Sequence, residues 1–282
     1  MKKLITRAIT GAIYVALIVI SLILESQILF KYLFATFLVL GIWEFLNLTS
    51  TRYKTPLSNK MLNVIGGLIM FLSANVYASN MEMGNAVAAF VPYILYLVVF
   101  SIYQLYNRSK NILEQWAFSL MSQIFVALPL SLLPIIVNMF GAHILLALFI
   151  FIWLNDTGAY CVGSLLGKHR LFQRISPKKS WEGFWGGLAL CVISGIAFHN
   201  YANPFFNGPD LAGWIGLAIA TSVFSTYGDL CESLLKRALG VKDSGNILPG
   251  HGGILDRIDS LLMVSPIALI FLIIYPIIVK LF

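Results

Sequence analysis

The chain is predicted to be an all-α, polytopic membrane protein with about nine transmembrane helices. Its mean hydropathy is +0.85, and 59% of its residues are hydrophobic while only 11% are charged. Apolar runs near 20 residues recur along the sequence, which is the length that a helix needs to cross a bilayer. These runs are too continuous for a membrane β-barrel, whose strands alternate apolar and polar residues over about 10 positions.

Nine apolar segments are predicted to cross the membrane. They cover residues 8–25, 29–47, 62–79, 85–105, 116–137, 142–165, 183–200, 211–235 and 259–280. The first follows basic residues, but no small-x-small cleavage site precedes Glu25, so we expect a retained helix rather than a removed signal peptide. We expect a single integral membrane domain over residues 1–282, with mainly scaffold spans in 1–140 and the chemistry in 150–270.

The basic residues predict the orientation in the membrane. With a cytoplasmic N-terminus, all but two of the 19 Lys and Arg residues fall on the cytoplasmic side, the exceptions being Lys31 and Lys280. The positive-inside rule therefore favours a cytoplasmic N-terminus and a C-terminus outside. The net charge of +7 follows from this topology. It favours anionic lipid headgroups and nucleotide phosphates on that side, and gives no reason to expect nucleic acid.

Charge is concentrated in the segment from Asp229 to Asp259, DLCESLLKRALGVKDSGNILPGHGGILDRID. Helical spacing places Asp229, Ser233 and Lys236 on one face of a helix, with Glu232 beside them. The segment begins where the eighth predicted span ends. It therefore brings acids and bases to the end of a membrane helix.

A turn rich in proline and glycine, at residues 249–253, must interrupt that helix. Helix is predicted to resume near Leu255, with Asp256 and Asp259 three residues apart on one face. Acids opposite lysines and arginines across such a turn supply oxygen ligands for a hard cation and positive partners for phosphates. Mg²⁺-assisted phosphoryl chemistry requires both. The alternative is that these acids cap helices and the bases anchor the chain at the membrane surface.

The segment from Ser233 to Asp259 resembles the signature of the phosphatidate cytidylyltransferase family, also called the CDP-diacylglycerol synthases. That signature has a Ser, a Lys-Arg pair, a Lys-Asp pair, a His-Gly-Gly and an Asp-Arg-x-Asp at fixed intervals. The corresponding residues of this chain are Ser233, Lys236, Arg237, Lys242, Asp243, His251, Gly252, Gly253, Asp256, Arg257 and Asp259. The resemblance covers roughly residues 150–270, while the earlier spans match only in being apolar.

A second element, SPKKSWEG, also resembles a motif of this family. Its polar residues are Ser176, Lys178, Lys179, Ser180 and Glu182. Two adjacent lysines and two hydroxyls ahead of a helix that starts at about Trp181 offer charge and hydrogen bonds to a triphosphate. Without the resemblance, an ordinary positive-inside loop would be the simpler interpretation.

Two acids lie inside predicted spans. Asp156 interrupts an apolar helix in the sequence FIWLNDTGAY. An acid within the bilayer needs a wet cavity, a cation or a partner, so we predict a functional role for Asp156, the alternative being a charge pair that holds the helices together. Glu44 follows Trp43 near the inner end of the second span, and we expect it to be solvated at the interface rather than to face the bundle.

The resemblance implies that CTP and phosphatidate react to give CDP-diacylglycerol and pyrophosphate. We predict that Asp229 and Asp256 hold Mg²⁺, with Asp259, Glu232 or Asp156 as further ligands, and that the close acids leave room for a second cation. Asp229, Asp256, Lys236 and Lys242 are the predicted catalytic residues. No strong general base is needed, because the attacking phosphatidate oxygen is already ionised.

The other charged residues are predicted to bind the substrates. Lys178, Lys179, Lys236 and Lys242 would neutralise the triphosphate, while Arg237 and Arg257 suit a bidentate grip on the lipid phosphate or on pyrophosphate. His251 would bind a phosphate or order the glycine turn. The remaining predicted substrate-binding residues are Ser176, Ser180, Glu182, Ser233, Asp243, Gly252 and Gly253.

Two other functions stay open. A CTP-dependent nucleotidyltransferase for another lipid phosphate is hard to separate, because chain recognition falls on apolar residues. A cation-coupled transporter would place its acids near the membrane midplane and in both halves of the chain, whereas here they cluster at one face in one half.

We expect the protein in a bacterial plasma (inner) membrane, among membrane lipids, with the site facing the cytoplasm. The spacings Gly163–Gly167 and Gly183–Gly187 would let helices pack closely, which leaves a homodimer open.

Overall fold

A computed structural model describes residues 2–24, 27–80, 86–203, 205–206, 208–245, 247 and 252–281. Ten α-helices and one two-stranded sheet make up this described part of the chain. Eight helical segments in it are long and apolar enough to cross a membrane, by length and composition. The first predicted span corresponds to a shorter apolar helix, Ile9–Ile23. The all-α, polytopic membrane fold is therefore confirmed.

The helices of the N-terminal half follow the predicted spans. They are α1 (Lys2–Ile23), α2 (Gln27–Tyr53), α3 (Leu57–Ser79), α4 (Val91–Tyr106), α5 (Ile112–Ser122) and α6 (Leu128–Phe140). A 3-10 turn, Ala86–Phe90, leads into α4, and a π-helical turn, Gln123–Ala127, joins α5 to α6.

Helix α2 extends further than its predicted span. The Thr49 and Ser50 hydroxyls both donate to the Leu46 carbonyl, and the Thr51 hydroxyl donates to the Leu48 carbonyl. Hydroxyls that bond back to the preceding turn fit within a helix. For this reason a polar stretch that resembles a loop in the sequence stays helical here.

The C-terminal half contains four helices and a hairpin. They are α7 (Ala142–Leu166), β1 (Arg170–Phe172), β2 (Ser176–Ser180), α8 (Trp181–Ala197), α9 (Leu211–Ala238) and α10 (Leu255–Leu281). The two strands are antiparallel, with Arg170 opposite Ser180. The hairpin was not predicted, because two short strands rich in charged residues carry no period-2 hydrophobic pattern.

The chain divides into two compact units. The first comprises Met1–Met139 and Ala238–Ile258, and the second comprises Phe140–Arg237 and Asp259–Phe282. The signature segment is therefore shared, since its first part and Asp259 belong to the second unit while the stretch between them belongs to the first.

Buried amides join the helices of the first unit. The Asn63 side-chain NH₂ donates to the Asn59 side-chain oxygen at 2.6 Å, one turn away in α3. Gln123 donates to the Asn63 carbonyl at 2.9 Å, and Ser119 donates to Asn59 at 2.9 Å. All four side chains are buried, so these hydrogen bonds link α3 to α5 and to the turn that follows it.

Glycines bring α7 and α8 of the second unit close together. A Cβ atom added to Gly158 would lie 2.8 Å from the Gly186 carbonyl oxygen, and one added to Gly183 would lie 2.7 Å from the Ala159 carbonyl oxygen. One added to Gly187 would lie 2.6 Å from the Asn155 side-chain oxygen. No side chain fits at these distances, so the small residues pack two helices of one chain.

Candidate active site

A cavity of about 610 Å³ lies in the second unit, within the usual size range of ligand pockets. Its lining includes Asp156 from α7, Lys178 and Lys179 from β2, and Asp229 from α9. Three stretches that the sequence singled out separately therefore meet around one space. Arg170 also lines it, although sequence reasoning treated Arg170 only as part of the positive-inside pattern.

Asn155 fixes α7 against α9 beside this cavity. Its side-chain oxygen accepts a hydrogen bond from the Ser222 hydroxyl at 2.6 Å, and its NH₂ group lies 3.4 Å from the Thr226 hydroxyl oxygen. Asn155 is buried, whereas its neighbour Asp156 is exposed to the cavity. Successive helical residues differ in direction by about 100°, so one polar stretch supplies both an interhelical contact and a cavity acid.

The N-terminus of α8 is built by the SPKKSWEG motif. Ser180 is the N-cap, and its hydroxyl accepts the Gly183 N–H at 3.2 Å, as N-cap serines do. The helix therefore begins at Trp181, as predicted, and β2 ends at its cap. Lys178 and Lys179 are thus held directly before a helix N-terminus, where the unpaired N–H groups favour anions.

Glu182 supports the hairpin instead of lining the cavity. Its carboxylate accepts the backbone N–H groups of Lys168 and His169 at 3.2 Å and lies 2.6 Å from the His169 ring Nδ1. Neither Glu182 nor Ser176 is among the described residues that line the cavity. Both were predicted to bind substrate, and that direct role stays a prediction.

Three acids meet where α9 contacts α10. Asp229, Glu232 and Asp259 each offer a carboxylate oxygen, and these oxygens lie within 4.8 Å of one another. The helices approach at Gly228, because a Cβ atom there would lie 2.6 Å from the Asp259 carbonyl oxygen. The two acid-bearing helices therefore come together, as their spacing predicted.

Two of these acids are paired with lysines. Lys179 Nζ lies 2.5 Å from Asp229 Oδ2, and Lys236 Nζ lies 2.5 Å from Glu232 Oε2. Glu232 is fully buried, so its charge depends on Lys236. The Ser233 hydroxyl donates to Asp229 Oδ1 at 3.2 Å, which places Asp229, Ser233 and Lys236 along one side of α9.

The acid cluster fits a divalent cation. Its donors are all carboxylate oxygens. Such hard ligands bind Mg²⁺ and Ca²⁺ in preference to soft metals. Three carboxylates also give more negative charge than two lysines balance. The coarse prediction of a metal site is therefore supported at Asp229, Glu232 and Asp259.

Arg237 belongs to the second unit, and the other remaining signature residues that the structure describes belong to the first. Asp256 lies in the first turn of α10, and its Oδ2 accepts the backbone N–H of Gly253 at 2.9 Å and of Ser244 at 3.1 Å. Gly252 has φ of 81°, a left-handed conformation that favours glycine. Lys242, Asp243 and Arg257 are exposed. His251 lies outside the described residues, and the site roles of all these residues stay predictions.

Glu44 is buried, so the prediction that it is solvated at the interface is wrong. It is 2% exposed, and its Oε2 accepts the Leu255 N–H at 2.8 Å and the Ser244 hydroxyl at 3.3 Å. Within the first unit, the N-terminus of α10 thus provides the solvation that water was expected to provide. Nothing in the sequence near Glu44 shows a partner that is 211 residues away.

The sequence is similar to known enzymes over almost its whole length. A family model described as the cytidylyltransferase family matches residues 5–275. A phosphatidate cytidylyltransferase of Haemophilus influenzae is 33% identical over 278 residues, which cover 92% of this chain and 95% of that protein. One of Staphylococcus aureus is 36% identical over 264 residues, with 92% and 96% covered. The similarity thus reaches well beyond residues 150–270, and the expectation that the earlier spans match only in being apolar is wrong.

Proposed function

The chain belongs to the cytidylyltransferase family, and we propose that it transfers CMP from CTP to phosphatidate. A phosphatidate oxygen attacks the α-phosphorus of CTP, the bond from that phosphorus to the bridging oxygen breaks, and pyrophosphate leaves with the electron pair. The products are CDP-diacylglycerol and pyrophosphate. The observation that carries the proposal is the cavity where Asp156, Lys179 and Asp229 meet, in a chain similar to phosphatidate cytidylyltransferases.

Lysines from the hairpin would bind the triphosphate. Lys178 is exposed and Lys179 is half-buried, and both line the cavity ahead of the α8 N-terminus. Charge builds up on the leaving pyrophosphate during the reaction, so fixed positive groups there lower the barrier. Lys179 would exchange Asp229 for a phosphate oxygen as the nucleotide enters, because its flexible side chain can reach either partner.

Asp229, Glu232 and Asp259 would hold a divalent cation, for which Mg²⁺ is the natural candidate in nucleotide chemistry. When bound, the cation would neutralise phosphate charge beside the reacting phosphorus. The Ser233 hydroxyl orients Asp229, and Lys236 stabilises the charge of buried Glu232. Asp256, predicted as a principal ligand beside Asp229, and Asp156, predicted as a further ligand, keep those roles as predictions, and a second cation stays open.

The proposed reaction suits the interface between membrane and cytosol. Phosphatidate remains in the bilayer, and CTP arrives from water, so the site must lie at headgroup depth. Eight apolar helices long enough to span a membrane supply the required anchoring. We further propose a bacterial plasma membrane, a cytoplasmic N-terminus and a site on the cytoplasmic face, as the distribution of Lys and Arg favours. A homodimer stays open.

The test is product formation by the purified protein in detergent, with phosphatidate, Mg²⁺ and each of the four nucleoside triphosphates. We expect CDP-diacylglycerol and pyrophosphate from CTP alone. Turnover of a different lipid phosphate with CTP, and none of phosphatidate, would overturn the substrate assignment. No turnover of any lipid phosphate by folded protein would overturn the proposed reaction.

The matching variant is Asp229→Asn, which keeps the size of the side chain and removes its charge. It should abolish turnover while the protein stays folded. The control is Asp210→Asn, because Asp210 Oδ1 accepts the Tyr275 hydroxyl at 2.6 Å and the Gly213 N–H at 2.9 Å. Asp210 does not line the cavity among the described residues, so this control should keep its activity.

A further inference from the structure

Glu44 holds together two parts of the signature segment in the first unit. Its Oε2 accepts hydrogen bonds from the Ser244 hydroxyl and from the Leu255 N–H. These donors lie on either side of the glycine-rich turn. One carboxylate oxygen on α2 therefore joins Ser244, which precedes this turn, to the start of α10.

Two glycines allow this close approach. A Cβ atom on Gly245 would lie 2.6 Å from Glu44 Oε1, and one on Gly253 would overlap Glu44 Oε2 and the Ser244 hydroxyl. A side chain at either position would displace the carboxylate. Gly253, which the signature offers as a phosphate-binding residue, thus packs directly against Glu44.

Asp256 links the same two stretches through their backbone. It accepts the N–H groups of Ser244 and Gly253, while Glu44 accepts from the Ser244 side chain and from Leu255. The orientation of the Asp256 carboxylate therefore depends on where Ser244 and Gly253 are held. Glu44 fixes that position from the buried side.

We propose that Glu44 is a positioning residue, which holds Ser244 and Leu255 together and thereby orients Asp256 for catalysis. The effect on turnover rests on the proposed function, whereas the contact that holds Ser244 and Leu255 together does not. Glu44 itself touches no substrate in this proposal. A simple structural role would be different, because loss of Glu44 would then lower only the amount of folded protein.

The first test is hydrogen–deuterium exchange of the purified protein in detergent, without metal or substrate. Glu44→Ala should speed the exchange of residues 244–256 at least about tenfold, since Ser244 and Leu255 lose the hydrogen bonds that hold them together. The exchange rate in Glu44→Gln should lie between those of the wild type and Glu44→Ala, because the glutamine amide oxygen can still accept the Leu255 N–H. Ser244→Ala removes one donor with little change in packing, and should speed exchange in the same segment by a smaller factor.

The control for this experiment is Asn63→Ala. Asn63 is a fully buried polar residue of the same unit, and among the described residues it shares hydrogen bonds with Asn59, Gln123 and Tyr96, not with the signature segment. We expect wild-type exchange of residues 244–256 in this variant. Unchanged exchange in both Glu44→Ala and Ser244→Ala, or equal acceleration in Asn63→Ala, would overturn the proposal.

The second test is steady-state turnover per folded molecule. Glu44→Ala should lower kcat at least about tenfold with little change in KM for CTP, because a misplaced catalytic group weakens transition-state stabilisation more than substrate binding. Glu44→Gln should recover part of this loss. A wild-type kcat in Glu44→Ala would overturn the positioning role. If the wild-type protein made no CDP-diacylglycerol, the proposed function would fail, and the exchange data would still decide whether Glu44 holds Ser244 and Leu255 together.

Discussion

The carboxylates of the two units are held by different kinds of donor. In the second unit, Asp229 and Glu232 each face a lysine ammonium group at 2.5 Å. In the first unit, Glu44 and Asp256 accept backbone N–H groups within residues 244–255. An ammonium group on a flexible side chain can move to a phosphate and leave its carboxylate to a metal ion. A backbone N–H group cannot leave its carboxylate unless the backbone itself moves.

This difference separates acids that can exchange partners from acids that shape the chain. The acids paired with lysine suit chemistry, in which charge must be passed between metal, phosphate and protein. Glu44 suits a structural role, since its donors are Ser244 and, at the N-terminus of α10, Leu255. Asp256 has the second kind of donor, since it accepts the Ser244 and Gly253 N–H groups, although the sequence predicts that it holds a cation.

Asp259→Asn tests the three-acid cluster of the second unit. Removing one of three clustered carboxylates should lower turnover at least about 100-fold and raise the Mg²⁺ concentration needed for half-maximal activity. Mn²⁺ binding to the protein, measured by electron paramagnetic resonance without substrate, should weaken in parallel. Asp210→Asn should bind Mn²⁺ as the wild type does. Equal Mn²⁺ affinity in Asp259→Asn and the wild type would show that Asp259 is not a ligand of the cation.

Lys236→Met asks whether the lysine beside Glu232 serves stability as well. Glu232 is fully buried, and a buried carboxylate without its cation destabilises a protein by about 3 kcal/mol. We expect a clear fall in the thermal midpoint in detergent. The double variant Lys236→Met with Glu232→Gln should recover most of that midpoint. No recovery in the double variant would mean that Lys236 contributes through packing of its alkyl chain instead.

Lys179→Met tests the hairpin lysine beside Asp229. We expect kcat/KM for CTP to fall about 100-fold, since one phosphate-stabilising charge is worth about 3 kcal/mol in a transition state. Lys178→Met is the matched comparison, and should lose less because Lys178 is exposed, whereas Lys179 is half-buried against Asp229. A larger loss in Lys178→Met than in Lys179→Met would reverse these assignments.

Local sequence signals predicted the helices around the site well. Ser180 before Trp181 is an N-cap, and α8 begins there. Acids and bases at helical spacing placed Asp229 and Ser233 on one side of α9, and the glycine-rich turn before Leu255 marked the start of α10. Each signal depends on residues within a few positions of one another.

Features that depend on distant partners were missed. The sequence predicts that Glu44 lies at the interface. That prediction fails because the donors that Glu44 accepts come from a remote part of the sequence. The sequence predicts a loop where the structure has the hairpin. Strands as short as β1 and β2, with three and five residues, give no periodic signal. Nothing in the sequence around Asn155 indicates that the Ser222 hydroxyl donates a hydrogen bond to its side chain. Propensity and periodicity describe one element at a time, so contacts between elements remained undetermined.

The Asn155–Ser222 contact carries the smallest predicted effect. Hydrogen bonds between membrane helices contribute about 0.6 kcal/mol on average, because the separated helices also find partners. Ser222→Ala should therefore lower stability only slightly, although its 2.6 Å bond is buried. Asn155→Ala should do more, since it also loses the contact with Thr226 and leaves space beside Gly187. A double-mutant cycle with both substitutions, read by unfolding in detergent, isolates the pair. A coupling energy near 3 kcal/mol would show that this polar pair holds α7 and α9 as firmly as the lysine holds Glu232.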